Sequence, residues 1–150
     1  MIVKELMSTS VCFVKADGTV ADAVALMKKY DIGFVPICDN KGCLIGLVTD
    51  RDIVLRALTE SSPERQTDTL SINTNQIPVS SIMSTDVVTV TSDINIHDAA
   101  LLFSKKGVRR LPVLENGRLV GVLSLSDLAR KRIFLSEIGD IMNSITKRFT

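Results

Sequence analysis

The sequence predicts a mixed α/β (α+β) protein made of two pseudo-symmetric β-α-β-β-α repeats. Three observations point there. Residues 6–40 lie over residues 82–116 at a constant spacing of 76, with Met7, Ser8, Thr9, Val11, Val14, Asp17, Asp22, Ala23, Leu26, Lys29, Pro36 and Asn40 recurring. After Lys41, which the second copy lacks, the spacing becomes 75, and Gly42, Leu44, Gly46 and Asp52 match Gly117, Leu119, Gly121 and Asp127. Both copies then end alike: an apolar strand runs straight into a hydroxyl and, three residues on, a carboxylate, in "GLVTDRDI" and "GVLSLSDL".

The elements follow in order. A short helix is expected around residues 3–7 and again at 79–83, followed by a short strand at 11–14 and 87–90. The first long helix of repeat 1 carries Val20, Ala23, Val24, Met27 and Tyr30 at helical spacing, and that of repeat 2 carries Ile96, Ala99, Ala100 and Phe103. Such a stripe is a core face. Strands at 34–38 and 110–114 lead through "DNKG" or "ENG" to strands at 44–48 and 119–123, forming hairpins with a glycine in the loop. A second helix opens at Thr49 and at Ser124.

The repeats occupy residues 3–58 and 79–131, joined by a Ser/Thr-rich linker at 59–78 that contains Pro63 and Pro78. One unit of about 55 residues leaves too much apolar surface exposed to stand comfortably alone, so the two are expected to pack as one module. The tail, 132–150, is amphipathic, with Ile138, Ile141, Met142, Ile145 and Phe149 on one helical face. Packing back on the domain and burial in a partner subunit are equally open to it.

Composition narrows the function. The 150 residues are 45% hydrophobic, and 18 basic against 17 acidic residues leave a net charge of +1, so no global field recruits nucleic acid or an anionic membrane. No apolar run approaches the roughly 18 residues of a membrane span, and a soluble, cytoplasmic protein is expected. Cys12, Cys38 and Cys43 form no paired disulfide framework and lack the second Cys/His pair of a zinc site. No metal is expected.

Four helix starts have a capping pattern: Thr19 with Asp22, Thr49 with Asp52, Asn95 with Asp98 and Ser124 with Asp127. Capping alone accounts for the two that follow a turn. Thr49 and Ser124 instead follow a strand directly, so hydroxyl, carboxylate and helix-start N–H groups collect at the carboxyl end of a sheet, where α/β proteins bind ligands. The hydroxyl suits a phosphate oxygen. The acceptor-only carboxylate suits the two donor hydroxyls of a ribose. Arg109 and Arg110 precede the middle strand of repeat 2 and offer guanidinium groups to a phosphate, whereas "IGFVP" at the same place in repeat 1 offers backbone groups and an apolar wall to a base.

The duplicated unit, its G-h-h-[ST]-x-x-D endings, and Pro36 and Pro112 in the middle strands closely resemble a pair of CBS domains, the modules named after cystathionine β-synthase. The likeness covers about residues 3–131, and "GVLSLSDL" is similar to the AMP-binding stretch of the regulatory gamma subunit of AMP-activated protein kinase. It implies two CBS units packed sheet to sheet with clefts for AMP, ADP, ATP or S-adenosylmethionine, and homodimers of such pairs. It also implies the site residues. One cleft would use Ser124, Ser126 and Asp127, with Arg109 and Arg110 toward phosphate and Ser10, Val11, Cys12, Gly33, Phe34 and Val35 around the base. The other would use Thr49, Arg51 and Asp52 with Asp86, Val87 and Val88; there Gly33 and Phe34 replace the arginines, with Arg51 as the available cation.

A regulatory sensor that takes an adenine nucleotide as ligand, needs no cofactor and signals to an effector protein is therefore expected. An enzyme is not: His97 is the one histidine and opens an amphipathic helix, and no Walker loop, GxGxxG or Cys-His pairing is present. A purely structural dimerisation module with unoccupied clefts is the alternative. A nucleic-acid binder fits poorly with 4% aromatic content and near-neutral charge.

Overall fold

The computed structural model describes residues 1–58, 73–131 and 134–147. It divides into two compact units, Met1–Val11 with Val88–Thr150, and Cys12–Val87. Each holds a three-stranded sheet, so the mixed α/β class and its duplication are as expected.

In the Cys12–Val87 unit, β1 (Val14–Lys15) runs parallel to β2 (Phe34–Cys38), which pairs antiparallel with β3 (Leu44–Thr49). Between β1 and β2 lies α1 (Val20–Tyr30). A reciprocal capping box opens this helix: the Thr19 hydroxyl accepts from the Asp22 N–H, and the Asp22 carboxylate accepts from the Thr19 N–H. Only part of the expected stripe is core. Val20 and Ala23 are fully buried and Met27 is half-buried, but Val24 and Tyr30 are exposed, and Leu26 packs inward instead. After β3 comes α2 (Asp50–Asp52), which widens into a π turn at Ile53–Ala57, where the Leu58 N–H donates to the Ile53 carbonyl.

The other unit repeats this plan with β4 (Val90–Thr91), α3 (Ile96–Lys106), β5 (Arg110–Glu115), β6 (Arg118–Ser124) and α4 (Leu125–Ala129). Here the expected face holds throughout, with Ile96, Ala99, Ala100 and Phe103 all buried. The capping pattern at Asn95 differs from expectation: the Asn95 side chain accepts from the His97 N–H, not from that of Asp98. The first strands are also later and shorter than the expected 11–14 and 87–90, because only two residues of each reach hydrogen-bonding register with the middle strand. Loss of Lys41 changes the turn chemistry. "DNKG" needs one positive φ, at Gly42, and the Asp39 carboxylate gathers the Lys41 and Cys43 N–H groups at 2.9 Å each. The shorter "ENG" needs two, at Asn116 and Gly117.

The short helices at the start of each repeat are single 3-10 turns, Val3–Glu5 and Val79–Ser81, and each docks on the other repeat. The Val3 N–H donates to the Ile94 carbonyl and the Ile96 N–H to that of Met1, while Ser8 and Val122 exchange both backbone bonds at 2.9 and 3.0 Å. The mirror set joins Val79 to Gly18, Val20 to Ile77, and Ser84 to Leu47. Val3 and Val79 are fully buried in the cores they complete. A compact unit is therefore one repeat plus its sister's leader.

The tail folds back on its own unit. α5 (Leu135–Thr146) packs on α3 and α4, burying Ile141 and Ile145, with Phe134 buried just before it. The Ser104 and Ser144 hydroxyls bond at 2.9 Å, His97 Nδ1 lies 2.8 Å from Glu137 Oε1, and the His97 ring meets Phe134 edge-on at 5.4 Å. Met142, expected on the buried face, is exposed, and Phe149 lies outside the described residues.

Two stability outcomes are expected. A Cβ at residue 121 would sit 2.9 Å from the Ser8 backbone oxygen as well as 2.7 Å from Met7 Sδ, whereas at residue 46 it meets only the flexible Met83 side chain. Gly121→Ala should cost about 1–3 kcal/mol in urea unfolding and exceed Gly46→Ala. Asp31 ends α1 in the left-handed region at φ 53°, where α3 has Gly107 at φ 68°. Asp31→Gly should stabilise by about 0.5–1 kcal/mol in the same assay, by relieving the Cβ and removing an acid from a helix C-terminus.

Candidate functional site

The carboxyl end of each hairpin presents the same backbone frame. In β5 and β6, Arg110 stands opposite Ser124, and the Leu125 N–H donates to the Arg109 carbonyl at 3.1 Å. In β2 and β3, Phe34 stands opposite Thr49, and the Asp50 N–H donates to the Gly33 carbonyl at 3.0 Å. Strand register thus fixes which side chains share each end.

At the Ser124 end, Asp127 Oδ2 accepts from both the Ser124 N–H and its hydroxyl, each at 2.8 Å, and the Asp127 N–H returns to Ser124 Oγ at 3.2 Å. Arg130 Nη1 lies 3.4 Å from the second carboxylate oxygen. Every polar group of the pair is engaged locally, and the Asp127 side chain is only 13% exposed. The hydroxyl therefore donates to Asp127, and a phosphate would take that proton only after rotation about the Cβ–Oγ bond. Ser126 is exposed beside it, as are Arg110 at the start of the facing strand and Arg109 just before it.

The Thr49 end has the same box. Asp52 Oδ2 accepts from the Thr49 N–H at 2.9 Å, the Asp52 N–H donates to Thr49 Oγ1 at 3.2 Å, and Arg56 Nε lies 3.9 Å from Asp52 Oδ1. Arg56 also donates to the Ile82 carbonyl at 3.0 Å, tying this end to the exchanged leader. Arg51 is exposed, and an open recess of about 490 Å³ is lined by Asp50, Arg51, Val54 and Leu55. A second shallow groove of about 500 Å³, along β1 and α1 from Phe13 to Lys29, touches none of the expected ligand residues.

The expected site residues divide between the units. Ser10, Val11, Val88, Arg109, Arg110, Ser124, Ser126 and Asp127 belong to one; Cys12, Gly33, Phe34, Val35, Thr49, Arg51, Asp52, Asp86 and Val87 belong to the other. Val35 is fully buried in its core opposite Val48, so only its backbone is left for recognition. Sequence reasoning passed over Asp50, Arg56 and Arg130. Arg56 and Arg130 sit four and three residues beyond their carboxylates, the spacing at which helical ion pairs form, and that signal was available.

A family model described as CBS domain matches the chain twice, at residues 3–58 and 79–133. The chain belongs to the CBS-domain family. It is 33% identical over 144 residues to the CBS domain-containing protein YhcV of Bacillus subtilis, covering 96% of this chain and 94% of that protein. Two solved CBS structures bear on the site. CBSX2 in complex with AMP aligns with a TM-score of 0.72 at 25% identity, covering 90% of this chain and 98% of that one. The CBS domain pair of MJ0100 in complex with 5′-methylthioadenosine and S-adenosyl-L-methionine aligns with a TM-score of 0.69 at 25% identity, covering 87% and 94%. This CBS chain is thus similar in fold to modules that hold adenosine compounds.

Among the described residues no group of His, Cys, Asp and Glu is arranged to hold a metal, and no helix is long and apolar enough to cross a membrane. The three cysteines are free thiols. Burial, then the charge of Asp39 and the neighbouring Cys43, pushes the Cys38 thiol up to about 11. Because the thiolate is the nucleophile, Cys38 is inert at neutral pH. Alkylation at pH 8 followed by peptide mapping should label the half-buried Cys12 and Cys43 well before Cys38, and denaturant should abolish the difference; equal labelling in the folded protein would contradict this placement.

Proposed function

We propose that this CBS chain is a non-catalytic, cytoplasmic regulatory module that binds an adenine nucleotide (AMP, ADP or ATP), or S-adenosylmethionine, and reports it to an effector protein through a change of conformation or assembly, as a homodimer. The observation that carries the reading is the Ser124 end, where Arg110 opens the strand facing a hydroxyl-carboxylate pair and Arg109 immediately precedes it. Arg109 and Arg110 supply charge and donors to a phosphate at any working pH, and Asp127 supplies acceptors to a ribose. AMP in CBSX2, and S-adenosyl-L-methionine with 5′-methylthioadenosine in MJ0100, support the ligand class.

Regulation then follows from differential affinity. A ligand that prefers one conformation of the module shifts its population, and tight binding without that preference signals nothing. The engaged state of the Ser124–Asp127 pair makes the unliganded form stable, and ligand binding exchanges internal hydrogen bonds for external ones. The same engagement favours a second reading, a structural dimerisation module whose capping boxes serve only the helices. The two readings part on binding.

Calorimetric titration with AMP, ADP, ATP and S-adenosylmethionine should give saturable heat that Asp127→Ala weakens more than Asp52→Ala does, since only the Ser124 end has the arginine pair. Each variant should also lose about 1 kcal/mol of stability with its cap. Unchanged affinity in Asp127→Ala would overturn the site, and no heat with any ligand would leave the dimerisation module.

A further inference from the structure

The duplication provides an internal control for ligand choice. Residues 33 and 50 correspond to 109 and 125, and in both copies the later residue's N–H donates to the earlier one's carbonyl, at 3.0 and 3.1 Å. The backbone is the same; the side chains are not. One corner carries Arg109 and Leu125, and the other carries Gly33 and Asp50.

The glycine and the aspartate explain each other. Asp50 Oδ2 lies 2.7 Å from where a Cβ on residue 33 would be, and Oδ1 accepts from the Arg51 N–H at 2.9 Å. The carboxylate thus occupies the space into which a side chain at 33 would begin. Asp50 is exposed and borders the open recess with Arg51, Val54 and Leu55. At this corner a ligand meets the Asp50 carboxylate; at the corresponding corner of the other unit it meets guanidinium groups. Here Arg51 and Arg56 offset Asp50 and Asp52, leaving the end neutral overall, whereas Arg109, Arg110 and Arg130 outweigh Asp127 at the other.

We propose that Asp50 is a specificity-determining residue that turns the Thr49 end away from phosphate-bearing ligands and toward uncharged or cationic adenosine compounds, such as a thioether or sulfonium nucleoside. Like charges at contact distance cost affinity most where water is partly excluded, whereas a sulfonium or neutral 5′ substituent meets no such cost. The two ends of one chain then read different chemical classes, an anionic nucleotide at Ser124 and a phosphate-free nucleoside at Thr49. This inference rests on the adenosine-binding reading of the family's strand ends in this chain.

The test is calorimetric titration of the whole chain with AMP and with 5′-methylthioadenosine, for the parent, Asp50→Leu, which installs the other repeat's residue, and Asp50→Asn, which removes only the charge. Unfolding temperature serves as the folding control. The parent should bind AMP at one site per chain and the thioether nucleoside at a second. Both variants should gain affinity for a second AMP of about tenfold or more, with the gain shrinking as salt is raised. If the parent binds either compound but neither variant changes the AMP stoichiometry or the weaker affinity, Asp50 has no such role while the adenosine reading stands. If parent and variants bind neither compound, the adenosine reading fails and this inference falls with it.

Discussion

The backbone pairing of each leader with the sister repeat is the constraint on which the rest depends. It supplies hydrogen bonds to groups that two-residue first strands cannot satisfy, and it caps each core with a fully buried valine, Val3 in one and Val79 in the other. Buried backbone groups need partners, and β3 and β6 have a free edge beyond the hairpin that Ser84 and Ser8 take up. That approach is close enough at residue 121 to demand glycine, where a Cβ would meet the Ser8 backbone, while at 46 it would press on the Met83 side chain. The consequence is that the sequence repeat and the folding unit are different segments of chain. Neither repeat can complete its core from its own residues.

The same frame decides what the strand ends can do. A short helix must begin where β3 and β6 stop, and its first N–H groups have no helical partner. The box formed by Thr49 and Asp52, or Ser124 and Asp127, satisfies them internally and places one hydroxyl and one carboxylate where strand meets helix. Capping and ligand chemistry therefore draw on the same atoms. An end whose cap is hydrogen-bonded internally needs no ligand to stay folded, and any molecule that bound there would have to offer more than the cap already provides.

Much of this was legible in the sequence. The duplication, the hairpins, the α3 core face and three of the four capping boxes follow from spacing and residue type, because turn and cap chemistry are local. What escaped was non-local. Val24 and Tyr30 continue the helical stripe of α1 but face outward, since periodicity reports which residues share a face and not how wide the opposing surface is. The leader exchange left a trace in Gly46 and Gly121, two strand-interior glycines, which signal a close backbone approach without naming what approaches. Ser10 and Val11, expected around a base, fall into the unit of Ser124 for the same reason: they continue the leader that pairs with β6.

Duplication also lets the two ends diverge without disturbing the frame. Backbone bonds hold residues 33 and 109 in equivalent places, so their side chains are free of the fold's demands. What grows there meets the neighbour one strand away: a Cβ at 33 would lie 2.7 Å from the end of the exposed Asp50 side chain, which would have to move aside. A single change at either position of the glycine-aspartate pair meets the other residue, which couples them. Packing and electrostatics at this corner therefore change together, in a place that strand register holds constant.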